Sequence, residues 1–171
     1  MIGTKELRIG LLAGLLAAAG SVALAQAAPE PAAPSHDTAW HNEQALYLAN
    51  LKAADGWQAA PGGLRYRRIK AGAAGAPHPA PTDTVTIHYA GRFIDGAEFD
   101  SSIARGEPAT FPLPRLIKGW QQGVPLMSVG DTFEFAIPHS LAYGPKGKGP
   151  IPGGATLIFT IELIAIVPPG G

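Results

Sequence analysis

The stretch Leu157-Ile158-Phe159-Thr160-Ile161-Glu162-Leu163 decides the fold more than any other. Its odd-numbered residues are all large and apolar, and a period of two is typical of a β-strand with one buried face. The segment from Thr132 to Ile137 repeats this alternation with Phe133, Phe135 and Ile137. Two such strands predict a sheet whose apolar face is covered by another layer.

More strands are predicted towards the N terminus. Val85, Ile87 and Tyr89 alternate with polar neighbours, and Asp95-Gly96 after them is typical of a tight hairpin turn. Residues 64–69 form a predicted edge strand. We interpret its three arginines as a solvated edge that resists aggregation rather than as a binding patch.

One short helix is predicted among these strands. It covers residues 116–124 and ends there because Pro125 has no N–H to donate and would clash with the preceding turn. Together these elements predict an α+β fold, in which a five- or six-stranded antiparallel sheet wraps around one short helix. A short N-terminal helix is predicted to precede this domain.

The first 25 residues predict a signal peptide. Lys5 and Arg8 precede an apolar run from Ile9 to Ala19, and Ala23-Leu24-Ala25 fits the small-residue cleavage pattern. An uncleaved anchor is the alternative, since the run extended to Ala25 reaches the lower limit of about 17 residues for a membrane span. We favour cleavage, which predicts an exported protein without a membrane anchor, located in the periplasm if the source is a Gram-negative bacterium.

Two segments separate this leader from the sheet. Residues 26–36 are rich in proline and alanine, which predicts an extended tether. Residues 37–56 carry apolar side chains at helical spacing, with Asp37 or Thr38 as the cap and Gly56 to close the end. This N-terminal helix would either make a homodimer or contact clients, or lie on its own domain; we favour the last slightly, because one short apolar stripe is a weak association signal.

Composition and spacing exclude several classes of function. With 13 basic and 13 acidic side chains, nothing in the charge steers the chain to nucleic acid or to an anionic membrane. The absence of cysteine excludes disulfides and thiolate chemistry. The five histidines show no ligand spacing, Ser101-Ser102 lacks a nucleophile elbow, and residues 119–123 lack the lysine of a phosphate loop. We therefore predict no metal site and no cofactor.

A different kind of site is indicated by the aromatic and aliphatic residues between Tyr89 and Phe159, which are spaced around one acid, Asp100. An apolar cup with one or two polar groups suits few kinds of chemistry. Rotation about a prolyl peptide bond is the leading one. It needs no covalent step, but it must break amide resonance, at a barrier of about 18 to 20 kcal/mol.

Six separated blocks of the sequence share their order and spacing with one known family. They are His88-Tyr89-Ala90-Gly91, Asp95-Gly96 to Phe99-Asp100-Ser101-Ser102, Ile117-Lys118-Gly119-Trp120, Met127-Ser128-Val129-Gly130, Ala142-Tyr143-Gly144 and Ile151-Pro152 to Phe159. On these blocks, residues 62–167 resemble the FKBP-type (macrolide-binding) peptidyl-prolyl cis-trans isomerases, and the segment before them resembles exported bacterial members.

The resemblance implies the residues of the site. Asp100 would lie at the rim, oriented by the Tyr89 hydroxyl and by Arg105, while the Ile117 N–H and the Tyr143 hydroxyl would bond substrate carbonyls. The implied catalytic residues are Asp100, Tyr143, Trp120, Tyr89 and Phe99, and the implied substrate-binding residues are Phe111, Leu116, Ile117, Ile151 and Phe159.

Three positions depart from the family pattern. Ala109 stands where many members carry another pocket aromatic, and we expect Phe111 nearby to fill part of that wall. Pro125 interrupts what is often continuous helix, and Pro150 precedes Ile151 in the loop that overhangs the pocket. We expect these changes to alter the rate and the sequence preference rather than the activity itself.

The function implied by the resemblance is cofactor-free isomerisation of X-Pro bonds in unfolded or folding exported proteins, with an apolar residue preferred before proline. Macrolide inhibitors would occupy the same pocket. The alternative is a chaperone-like module that binds proline-containing segments with little turnover. A carrier of small apolar ligands is a third interpretation, which depends only on the apolar pocket.

Overall fold

Residues 37–167 of a computed structural model are described here. The predicted signal peptide and the tether lie outside the described residues. Among the described residues, no helix is both long and apolar enough to cross a membrane.

The N-terminal helix, α1, covers Thr38–Asn50. Asp37 caps it, since its carboxylate accepts a hydrogen bond from the Trp40 N–H at 2.8 Å. The helix is shorter than the predicted 37–56, because Leu51 has extended backbone angles. Gly56, with φ of 84°, closes a separate 3-10 turn over Ala53–Asp55 rather than the helix itself.

Seven antiparallel strands follow, and they confirm the α+β class. Their order in the sheet is β1-β2-β6-β7-β3-β4, with β5 also paired to β3. The strands are β1 (Gln58–Ala59), β2 (Arg65–Lys70), β3 (Thr84–Arg92), β4 (Glu98–Ser101), β5 (Ala109–Pro112), β6 (Thr132–Ile137) and β7 (Leu157–Val167). The count exceeds the predicted five or six because β1 has only two residues, too few to show a period, and because β4 and β5 share one edge of β3.

The strand β2 is not the exposed edge that the sequence predicts, because β1 pairs with its outer side. Two of its three arginines, Arg65 and Arg67, are half-buried, whereas Arg68 is exposed. Arg67 Nη2 lies 2.6 Å from Glu134 Oε2, and its guanidinium lies 4.7 Å from the ring centre of Trp57. Arg68 lies over the Phe133 ring at 5.4 Å. These side chains stabilise the sheet through ion-pair and ring contacts.

The second helix, α2, covers Lys118–Gly123 on the inner face of the sheet. It is shorter than the predicted 116–124, since Leu116 and Ile117 are extended and Pro125 lies in a 3-10 turn that follows the helix. Two glycines let it approach closely. A Cβ atom on Gly119 would lie 2.5 Å from Ile137 Cγ2, and one on Gly123 would lie 2.5 Å from Phe135 Cε1.

The opposite face of the sheet is covered by α1, which therefore lies on its own domain. The outward side chains of Ala136 and Ile158 form a small buried cluster with Trp57, against which Tyr47, Leu48 and Leu51 pack. Gln44 is also buried, and its amide oxygen accepts a hydrogen bond from the Thr156 N–H at 2.9 Å. The helix is thus tied to the segment that leads into β7.

Candidate active site

A cavity of about 550 Å³ opens between α2 and the inner face of the sheet. Side chains from β3, β4, β5, β7, α2 and the loop between β6 and β7 surround it. The lining consists of Tyr89, Phe99, Asp100, Phe111, Arg115, Leu116, Ile117, Trp120, Tyr143, Lys148, Gly149, Pro150, Ile151 and Phe159. All ten residues that the sequence predicts for the site are among them, so the structure brings every one of them together.

Trp120 lies at the bottom of this cavity, with only 5% of its surface exposed. Its indole makes edge contacts with the rings of Tyr89 and Phe159, at centroid distances of 5.3 and 5.0 Å. Phe99 meets Phe159 edge-on at 5.6 Å. The Trp120 Nε1 has no acceptor among residues 37–167. Four rings thus hold one another in fixed geometry, which keeps the apolar surface open to a guest.

Two residues show how β3 and β5 shape the wall. Phe111 lies 6.2 Å from the Tyr89 ring and 6.4 Å from the Trp120 ring, whereas Ala109 does not line the cavity. On β3, Gly91 pairs with Phe159 of β7. A Cβ atom at Gly91 would come within 2.7 Å of both Phe159 and Phe99. Only a glycine at position 91 allows the rings of Phe99 and Phe159 to keep their present positions.

Asp100 belongs to a three-residue polar network at the rim. It accepts a hydrogen bond from the Tyr89 hydroxyl at 2.6 Å and pairs with Arg105 Nη1 at 2.5 Å. Arg105 Nη2 also donates to the Tyr89 hydroxyl at 3.0 Å. Burial alone would raise the pKa of Asp100, but the hydrogen bonds from Tyr89 and Arg105 and the guanidinium charge lower this pKa below its ordinary value. The carboxylate is therefore ionised and held in one orientation.

Besides the Trp120 indole N–H, two more donors of the site have no acceptor among the described residues. The Tyr143 hydroxyl makes no hydrogen bond there, and burial, together with the negative charge of Asp100, raises the pKa of this phenol. At neutral pH it is therefore protonated and can donate. The Ile117 carbonyl accepts from the N–H groups at the start of α2, while its own N–H has no partner in the described part of the chain.

The sequence reasoning missed the lining residues Arg115, Lys148 and Gly149 and the supporting residue Gly91. Arg115 and Lys148 line the cavity as exposed cations, and nothing in a hydrophobic period points to exposed charges on turns. Gly91 appears in a recognised block, but its role became visible only with the register between β3 and β7. Within the described residues, no three His, Asp or Glu side chains are grouped so that they could hold a metal ion.

Comparison with known proteins decides the family. The model of the FKBP-type peptidyl-prolyl cis-trans isomerase family matches residues 75–164, which include all of the cavity lining. The chain belongs to this family.

Individual relatives agree with this FKBP-type assignment. The chain is 48% identical over 123 residues to the FKBP-type peptidyl-prolyl cis-trans isomerase FkpA of Aeromonas hydrophila, an alignment that covers 72% of this chain and 45% of that protein. It is 44% identical over 126 residues to the FKBP-type 22 kDa isomerase of Escherichia coli, covering 73% of this chain and 60% of that one. This chain thus spans about half the length of these curated relatives.

A solved structure provides the comparison of folds. The crystal structure of a peptidyl-prolyl cis-trans isomerase from Pseudomonas syringae pv. tomato superimposes with a TM-score of 0.70 at 30% identity. The match covers 78% of this chain and 98% of that chain. Nearly the whole of that protein is therefore reproduced within this FKBP-type chain.

Proposed function

We propose that this chain catalyses cis-trans isomerisation of X-Pro peptide bonds in unfolded or folding proteins. The observation that carries the proposal is the cavity itself, in which four packed rings face the Tyr143 hydroxyl and the Ile117 N–H. Neither donor has an acceptor among residues 37–167. The family membership supports the same activity. We also propose a role for each of the ten lining residues that the sequence indicates.

The first step is burial of the proline ring on Trp120. Tyr89, Phe99 and Phe159 enclose it, with Ile151 opposite in the lining. This contact is nearly equal for the planar and the twisted amide, so it contributes affinity and orientation rather than rate. Phe111 and Leu116 extend the apolar wall to the residue before proline, which favours an apolar side chain there.

The second step is rotation about the bond. A planar amide is more dipolar than a twisted one, so transfer from water into apolar surroundings destabilises the ground state relative to the transition state. The Tyr143 hydroxyl and the Ile117 N–H hold substrate carbonyls on either side of the bond. A million-fold acceleration requires about 8 kcal/mol in all. Asp100, fixed by Tyr89 and Arg105, presents a negative charge near the rotating bond.

The direct test is an NMR exchange or protease-coupled assay with a Leu-Pro peptide. We expect the wild-type protein to accelerate exchange, Tyr143→Phe to lower kcat/KM about tenfold through loss of one hydrogen bond, and Trp120→Ala to lower it further. Tyr66→Phe is the matched control, since Tyr66 donates to Gln58 on the sheet, away from the cavity. If the wild type does not speed exchange, the proposal fails. Displacement of the peptide by a macrolide inhibitor would place binding in this cavity.

We further propose that the protein is exported and acts in the periplasm. The support is residues 1–25, in which two basic residues precede an apolar run and a small-residue cleavage pattern. Uncatalysed prolyl isomerisation takes tens of seconds, which makes such an activity useful to proteins that fold after export. Fractionation of cells that express the full chain tests this proposal, and N-terminal sequencing of the product locates the cleavage.

For the assembly we propose a monomer. Tyr47 and Leu48 of α1, and Leu51 directly after it, pack against the sheet of the same domain. Leu46, with 58% of its surface exposed, is the large apolar residue that α1 leaves to solvent. A homodimer through α1, the alternative that the sequence leaves open, would have to use the exposed face around Leu46 or detach this helix from the sheet. Light scattering at several protein concentrations distinguishes the two states.

A further inference from the structure

Two cationic side chains are part of the cavity lining, which is mostly apolar. Arg115 ends the 3-10 turn that precedes α2, and Lys148 lies in the loop between β6 and β7, so they approach the cavity from separate parts of the chain. Both are exposed. Within residues 37–167, neither forms an ion pair. The Lys148 ammonium instead lies 5.7 Å from the ring centre of Tyr143, one of the proposed hydrogen-bond donors.

The carboxylate of the lining does not balance these charges. Asp100 is the one acidic residue that lines the cavity in the described part of the chain, and it is already paired with Arg105 at 2.5 Å. The chain as a whole has equal numbers of acidic and basic residues. The positive charge at the cavity is therefore a local feature, placed beside apolar walls where field lines are concentrated.

We propose that Arg115 and Lys148 select client segments in which an acidic residue flanks the X-Pro pair. This inference depends on the proposed function and names the substrate class of the same cavity. The apolar residue X before proline contacts the apolar walls of the cavity. The acidic residue of the client is therefore expected one position further out, either before X or after proline. A guanidinium such as that of Arg115 pairs well with a carboxylate through two parallel hydrogen bonds.

The size of the effect follows from exposure. Exposed ion pairs are weak because water screens them, so the two cations together change affinity by about fivefold rather than by orders of magnitude. Because the pair forms in the bound ground state as well as in the transition state, the effect appears in KM and leaves kcat nearly the same. It weakens in 1 M salt, where the screening length is about 3 Å.

The experiment uses peptides with one Leu-Pro pair and Glu, Gln or Lys at a flanking position, with each flank tested separately. We expect kcat/KM to fall in the order Glu, Gln, Lys, with about a fivefold span at low salt that shrinks in 1 M salt. The Kd of each peptide is measured in parallel by calorimetry. Binding thus tests the inference even if turnover is absent.

Variants assign the preference to the two cations. Arg115→Gln combined with Lys148→Gln should abolish the order, and Arg115→Glu with Lys148→Glu should reverse it. Lys146→Gln is the matched control, since this exposed lysine is in the same loop but outside the lining. Equal binding of Glu and Lys peptides, or a preference that survives the double glutamine variant, overturns the inference. Loss of turnover with all peptides, while the binding order persists, would instead refute the proposed enzyme activity.

Discussion

Asp100 illustrates how one side chain depends on its neighbours. The Tyr89 hydroxyl is the centre of its network, because it donates to the carboxylate and accepts from Arg105. Burial, followed by the hydrogen bond to Asp100, raises the pKa of Tyr89. The phenol therefore stays protonated at neutral pH and keeps the carboxylate in place.

We predict that Tyr89→Phe raises the pKa of Asp100, because it removes one of the hydrogen bonds that lower it. The carboxylate also loses one of the two groups that orient it, so kcat/KM should fall by up to about tenfold. Carboxyl NMR titration reports the pKa, and the exchange assay reports the rate. Tyr66→Phe should change neither. An unchanged titration of Asp100 would show that Arg105 alone sets its charge state.

At this scale the sequence predicted much of the site. The ring positions of Trp120 and Phe159 were predicted from the resemblance to a known family, whose pocket residues match the quoted blocks one by one. The cations Arg115 and Lys148 were not, since an exposed charge on a turn follows no period and its direction depends on the path of the folded chain.

Among the elements, the long strands were predictable and the short pieces were not. The strand β6 alternates over most of its length and β7 does so from Phe159 to Leu163, whereas β1 has only two residues. The ends of α2 also differ from the prediction, because Ile117 is extended and lies at the cavity instead of in the helix. This conformation depends on tertiary contacts, which the helical pattern of the sequence does not contain.

For Gly123 in α2, we predict an effect on stability opposite to the one that helix propensity alone would give. Alanine is better than glycine in a helix by about 1 kcal/mol, yet Gly123→Ala should destabilise the protein. Its Cβ would lie 2.5 Å from Phe135 Cε1, and overpacking of a close-packed core costs about 1 to 3 kcal/mol. Gln122→Ala is the control on the exposed side of the helix and should be neutral or slightly stabilising. Urea denaturation measures both, and a more stable Gly123→Ala variant would show that the helix can move away from the sheet.

For α1, the contact of Gln44 with Thr156 gives a second prediction. Gln44→Ala leaves a buried Thr156 N–H without its acceptor, which should cost about 1 to 3 kcal/mol of unfolding free energy. Glu43→Ala, on the exposed face of the same helix, is the control and should have little effect. If both variants unfold at the same urea concentration as the wild type, α1 does not stabilise this domain.

For the whole molecule, stability should depend on pH through Asp131. This carboxylate, with a side chain only 2% exposed, accepts hydrogen bonds from the Gly72 and Ser128 N–H groups at 2.8 Å each, so it joins two loops at the start of β6. Burial alone would raise the pKa of Asp131, but these two hydrogen bonds, with the charge of Arg68, lower it. The stabilisation is therefore present above the unfolded-state pKa of about 3.9 and is lost as the pH falls through the lower native value.

We predict that Asp131→Asn lowers the unfolding free energy by about 1 to 3 kcal/mol at pH 7, because an amide cannot accept both bonds and would point its NH₂ at a backbone donor. The variant should also lose less stability than the wild type between pH 6 and pH 3, since the titrating group is gone. Asp95→Asn removes the same charge from an exposed turn, where Asn-Gly serves as well as Asp-Gly, and should behave like the wild type. Urea denaturation at both pH values measures these differences. Equal pH dependence in the wild type and in Asp131→Asn would mean that other carboxylates control the acid stability of the fold, with Asp100 as the next to test by the same pair of measurements.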